Sequence, residues 1–146
     1  MLTLPKGCTL VFRGGSIING SIYFNSNRIL GNAQFNNCKY KGKIIAKCLD
    51  DRCFTSGDDK NALLFLLTNA IENGAKCDFY RDYSINMKDV PVTGLLSFKN
   101  INSGADISFH GHTIYNTVAF SIHQIKPVIV KMLDEMLMMD KSVFHD

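Results

Sequence analysis

Between Thr9 and Ala46 the chain places six short β-rich runs, TLVF, GSII, SIYF, RIL, AQF and KIIA, with only brief Gly- and Asn-containing breaks between them. No other feature constrains the fold so tightly. A parallel pair joined by a crossover helix needs a dozen or more connecting residues, so βαβ units are excluded here. Antiparallel hairpins suit the breaks, above all at Asn19-Gly20, where a two-residue turn is natural. The stacked coils of a solenoid suit them as well, with Gly and Asn supplying left-handed corners while Val, Ile and Phe fill the interior. Gly20, Gly31 and Gly42 recur every 11 residues, each in a polar corner beside an apolar strand. That repeat favours the solenoid, and Asn19, Asn25, Asn27, Asn32, Asn36 and Asn37 fit the same corners.

The pattern changes at DDKNALLFLLTNAIENG, residues 58–74. Leu63, Leu66, Leu67, Ala70 and Ile71 have the i, i+3, i+4 spacing of a buried helical face, which predicts a helix over about 59–73. Ser56 and Asp59 have capping-box spacing, Asp58 is a rival cap, and Gly74 is a stop. CDFY, YSI, LLSF, DISF and HTIY then read as further short strands. In PVIVKMLDEMLMMD, Ile129, Leu133 and Leu137 fall on one line and Val128, Met132 and Met136 on its neighbour, predicting a second helix over about 127–139 with Pro127 in its first turn.

These stretches carry a resemblance. LPKGCTLVFRGGSIINGSI, from Leu4 to Ile22, looks like a strand-and-turn module ahead of the main coil in some β-helix proteins of polysaccharide-degrading bacteria. DDKNALLFLLTNAIENGAKCDFYRDYSI, from Asp58 to Ile85, is similar to the N-terminal capping module of the pectate-lyase-like right-handed β-helix superfamily, departing from it at Arg81-Asp82. ADISFHGHTIYN, from Ala105 to Asn116, resembles a first full rung. The resemblance implies an all-β, right-handed parallel β-helix. It implies one domain over 1–146, with a short-strand lead-in coil over 1–50, a helix and first rungs over 58–120, and a terminal helical segment over 121–146. It also implies that continuing rungs are missing, so that the chain is a truncated form of a longer protein. Full-length relatives are expected to be extracellular, on a cell surface or in a virion.

Composition bounds the rest. A net charge of +3 with 20% charged residues lacks the concentrated basic face of a nucleic-acid binder. Cys8, Cys38, Cys48, Cys53 and Cys77 are odd in number and form no C-x-x-C pair, so mostly free thiols are expected and no zinc site. The opening MLTLPKGC has neither the charged nor the apolar part of a signal peptide, and no apolar run is long enough to span a bilayer. Nucleotide, zinc-protease and nucleophile-elbow signatures do not occur, and no cofactor is expected.

Three groups of side chains are candidates for chemistry. His110 and His112, with Asp106 at the same parity, would line one strand face and offer two nitrogen ligands to a metal, for which no third ligand is identifiable, or contacts to a substrate, unless the corner at Gly111 breaks the register. Asp50, Asp51, Asp58 and Asp59 are adjacent pairs, better placed for capping and for opposite strand faces than for a shared metal or an acid/base couple. Lys39, Lys41 and Lys43 alternate with Tyr40, putting three ammonium groups on one face, a stripe suited to an acidic glycan or to discouraging edge pairing. Met132, Met136, Met138 and Met139 suit an end-covering or self-associating helix. The reading is a carbohydrate-associated module like the N-terminal part of polysaccharide lyases or hydrolases, without a complete active site. Its alternatives are a structural or adhesion module of a tailspike or surface protein, forming a homotrimer or associating through its helix, and a nonfunctional fragment.

Overall fold

Strand pairing begins parallel. In the computed structural model, which describes residues 1–88, 96–137 and 143–146, β1 (Leu2–Thr3), β2 (Thr9–Phe12) and β4 (Phe35–Ile44) all pair in parallel with the long β3 (Ile17–Gly31). Asn19-Gly20 is no hairpin: β3 continues through it, with Asn19 at a φ of 55°. Asn37 repeats that left-handed conformation on β4 at a φ of 53°, and its Nδ2 donates to Asn19 Oδ1 at 3.0 Å. After β5 (Cys48–Asp50) comes α1 (Asp59–Asn73), then β6 (Lys76–Asp78), β7 (Tyr83–Ile85), β8 (Asp106–Ser108), β9 (Ile114–Val118), β10 (Ser121–Gln124), α2 (Lys126–Leu137) and β11 (Phe144–His145). One sheet has the order β11-β8-β6-β5, all parallel, and another β10-β9-β7.

This architecture corrects the expected all-β right-handed parallel β-helix. The sheets are mixed, because β10 returns antiparallel beside β9. Strands make up 41% of the described residues and helices 20%. Nor does one spacing recur between paired strands. Partners lie 18 residues apart at Ile17 and Phe35, 28 at Cys48 and Lys76, and 37 at Ile107 and Phe144. The expected terminal helical segment over 121–146 likewise divides, with β10 ahead of α2 and β11 behind it. The expected helix reaches Leu137; Met138 and Met139 lie outside the described residues.

α1 forms as its sequence predicts. Asp58 is the cap, its carboxylate accepting from Asn61 N at 3.1 Å, and Gly74 ends the helix in the left-handed region with its N–H on Ala70 O. Leu63, Leu66, Leu67, Ala70 and Ile71 are all buried. Above them Phe24, Phe35, Tyr40, Phe54 and Phe65 pack ring to ring at 5.2–6.2 Å. A second aromatic group, Phe79, Tyr83, Phe109 and Phe144, fills the space behind β6 and β8. No helix among the described residues is long and apolar enough to cross a membrane, and all five cysteines are free thiols.

The opposite side of α1 solves a problem that β4 creates. Beyond β3, the outer backbone groups of β4 face no strand over most of its length, and unpaired buried groups are costly. Asn61 Oδ1 accepts from Tyr40 N at 2.8 Å while its Nδ2 donates to Tyr40 O at 2.9 Å. Asn69 does the same for Ile44 N (3.0 Å) and Gly42 O (3.2 Å), and Asn73 Nδ2 reaches Ile44 O at 2.9 Å. The lengths agree: eight helical residues rise about 12 Å, and four strand residues span about 13 Å. Asn69→Leu keeps the volume but strands a buried N–H and a carbonyl. It is expected to lower the free energy of unfolding by about 2 kcal/mol, read as an earlier urea midpoint at unchanged slope.

Candidate functional site

The seam between β4 and α1 is hollowed on its outer side. At the start of α1 lies a polar groove of about 840 Å³, lined by side chains that include Asn19, Ser21, Asn37, Lys39, Ser56, Lys60, Ser84 and Asn86. Further along the same seam a smaller hollow of about 220 Å³ holds Lys41 and Thr68. The groove's two acids are already engaged. Asp58 caps α1, and Asp59 takes Arg81 Nη1 on one oxygen and Ser84 N on the other, both at 2.8 Å. Lys39 approaches Asp58 only to 3.9 Å, with both side chains well exposed, a distance at which such a pair contributes little. Lys41, Lys43 and Lys60 enter no ion pair among the described residues. The seam therefore presents amides, hydroxyls and ammonium groups.

The expected binding stripe needs one correction. Lys39 and Lys41 stand on the outer face and Lys43 is partly covered, but Tyr40 is only 2% exposed. Strand alternation turns Tyr40 inward, where its hydroxyl donates to Thr55 O at 2.6 Å and burial pushes its pKa up. The aromatic that does accompany the lysines is Tyr23, which sits beside Lys41 in the β3–β4 register and is exposed. Ser21 and Asn25 flank it, beside Lys39 and Lys43. Sequence reasoning missed Tyr23 because the pairing partner of β4 is not written in β4.

The second group of candidates is not brought together. Asp106, Ser108 and His110 share the outer face of the β8 segment, but His110 and Gly111 both adopt positive φ, and the corner turns His112 away. Each side chain has its own partner. Asp106 pairs with His145 at 2.9 Å, His110 with Asp78 at 2.8 Å, and His112 with Asp82 at 3.2 Å. Hydrogen bonds from Thr113 N and His112 hold the Asp82 carboxyl below its ordinary range. His110 also stacks on Tyr80 at 4.4 Å, while the Arg52 guanidinium covers the ring at 3.9 Å. Asp50, in register with Asp78, binds Arg52. Burial alone would push its carboxyl up, but Arg52 holds it below the usual range.

Among the described residues no three metal-binding side chains converge. No family model matches the chain, and comparison with curated proteins and with solved structures gives no match either.

Proposed function

We propose that the chain is a binding module for an acidic polysaccharide, laid along the β4–α1 seam. One observation carries the reading: two consecutive hollows follow one strand, the first lined by hydroxyls and amides and the second by Thr68 with Leu64 and Phe65, with Lys39, Lys41 and Lys60 along them and the acids of the first consumed internally. Hydroxyls and amides suit the hydroxyl groups of a sugar chain, and ammonium groups suit carboxylates that recur along it. The resemblance of residues 58–85 to a module of polysaccharide-acting proteins favours the same ligand class. Binding is preferred to turnover because Asp106, His110 and His112 are each held in a separate pair.

Calorimetric titration with a uronic-acid oligosaccharide and with a neutral glucan of equal length tests this. The uronic-acid chain is expected to bind and the glucan to bind far more weakly, with affinity falling as salt is raised. Exposed charge contacts contribute up to about 1 kcal/mol each, so the double variant K39A/K41A should bind about tenfold more weakly. Equal binding of both glycans, or no binding of the acidic one, would overturn the proposal.

A further inference from the structure

The outer edges of β4 and β10 are treated differently. The β4 edge is covered by asparagine side chains from α1 and lined by lysines. The β10 edge has neither device. All four β10 residues, Ser121, Ile122, His123 and Gln124, are exposed; Ile122 is 71% exposed, and the adjoining Phe120 projects fully into solvent. Ile125 N donates to Ile114 O at 2.8 Å, which fixes the alternation of the β9–β10 ladder. Residues 121 and 123 point their backbone groups at β9, so the N–H and C=O of Ile122 and Gln124 point outward. Among the described residues they meet no partner. An uncharged edge of this kind, without Lys or Pro, is a template for another strand.

We infer that β10 pairs antiparallel with β10 of a second copy of this chain, about a twofold axis through Ile122. The edge is its own complement in that register. Ile122 meets Ile122 of the other copy and exchanges both hydrogen bonds with it, and Ser121 meets His123. The two Ile122 side chains fall on the same face of the joined sheet, beside Phe120 in the turn between β9 and β10. Charge does not oppose the contact: β10 has no Asp, Glu, Lys or Arg, and Lys126 just beyond it is buried against Asp146. Two four-residue strands and two phenylalanines bury less than the roughly 1,200 Å² of a stable interface, so the dimer is weak and reversible. The inference is independent of the glycan seam, which lies on other elements.

Sedimentation velocity over rising protein concentration, combined with amide hydrogen exchange, tests it. The expected result is a monomer that converts to a dimer in the ~10–100 μM range, with the Ile122 amide becoming protected only at the higher concentrations. Ile122→Lys places two ammonium groups together at the axis and should abolish both effects. Its position is exposed, so the far-ultraviolet spectrum and thermal midpoint should match the parent chain. A monomer throughout, a dimer that survives Ile122→Lys, or association without protection of that amide would each overturn the inference.

Discussion

Gly42→Ala is expected to destabilise the chain by about 4 kcal/mol or more, a large fraction of the roughly 5–15 kcal/mol that holds a domain folded. Gly42 sits at a φ of 87°, and a Cβ there would overlap the carbonyl oxygen of Phe24 on the neighbouring strand. Left-handed backbone alone costs a non-glycine residue about 1–3 kcal/mol. The oxygen cannot retreat, because Phe24 is wholly buried between Phe35 and Phe65. Gly31 repeats the arrangement against Phe12 O at a φ of 85°. A urea titration of Gly42→Ala within 1 kcal/mol of the parent chain would show that the β3–β4 register is not as described.

At Asp51 two substitutions should part company. The carboxylate is 3% exposed, and one oxygen, Oδ2, accepts from both Tyr80 N (3.0 Å) and the Tyr83 hydroxyl (2.9 Å). Asp51→Ala leaves both donors without their acceptor, one of them on a buried ring, and is expected to lose about 2–4 kcal/mol. Asp51→Asn retains an oxygen for both donors. It also removes an ionisation that the fold opposes, since burial pushes the Asp51 carboxyl above its ordinary value. A raised folded pKa means that stability present at low pH is lost as pH rises through that pKa. Asp51→Asn should therefore gain on the parent chain between about pH 4 and neutrality. Asp50 acts in the opposite direction: its lowered value gives stability that is lost as pH falls into the acid range. Parallel melting curves for the parent and Asp51→Asn at pH 4 and pH 7 would separate the two. An Asn variant as unstable as the Ala variant would mean that the charge itself is required.

What could be read from the residues was local. The helix 59–73 followed from its apolar spacing and its terminal Asp and Gly, and YSI is a strand over Tyr83–Ile85. What could not be read was long-range. The Gly31 and Gly42 corners are left-handed as the 11-residue repeat suggests, yet a repeat in glycines does not set a coil length, and strand offsets from 18 to 37 residues follow from how the loops and α1 pack. Asparagine is ambiguous for a physical reason: the same amide that tolerates a left-handed corner also pairs with backbone. Asn19 and Asn37 turn corners, whereas Asn27 is fully buried, holding Pro5 O and Cys8 O. In the candidate site the alternation that set the lysines outward also required Tyr40 to face inward. The three His–Asp pairs span 30 residues or more, and no spacing rule reaches that far.

The asparagine rail on α1 also has a consequence for partly folded chains. Any state in which α1 has come away leaves the outer backbone groups of Tyr40, Gly42 and Ile44 without their amide partners and open to another strand. Lysines on such an edge discourage that pairing, and β4 carries three, Lys39, Lys41 and Lys43. Their joint replacement by neutral residues is expected to show as a lower yield of folded protein on refolding at high concentration.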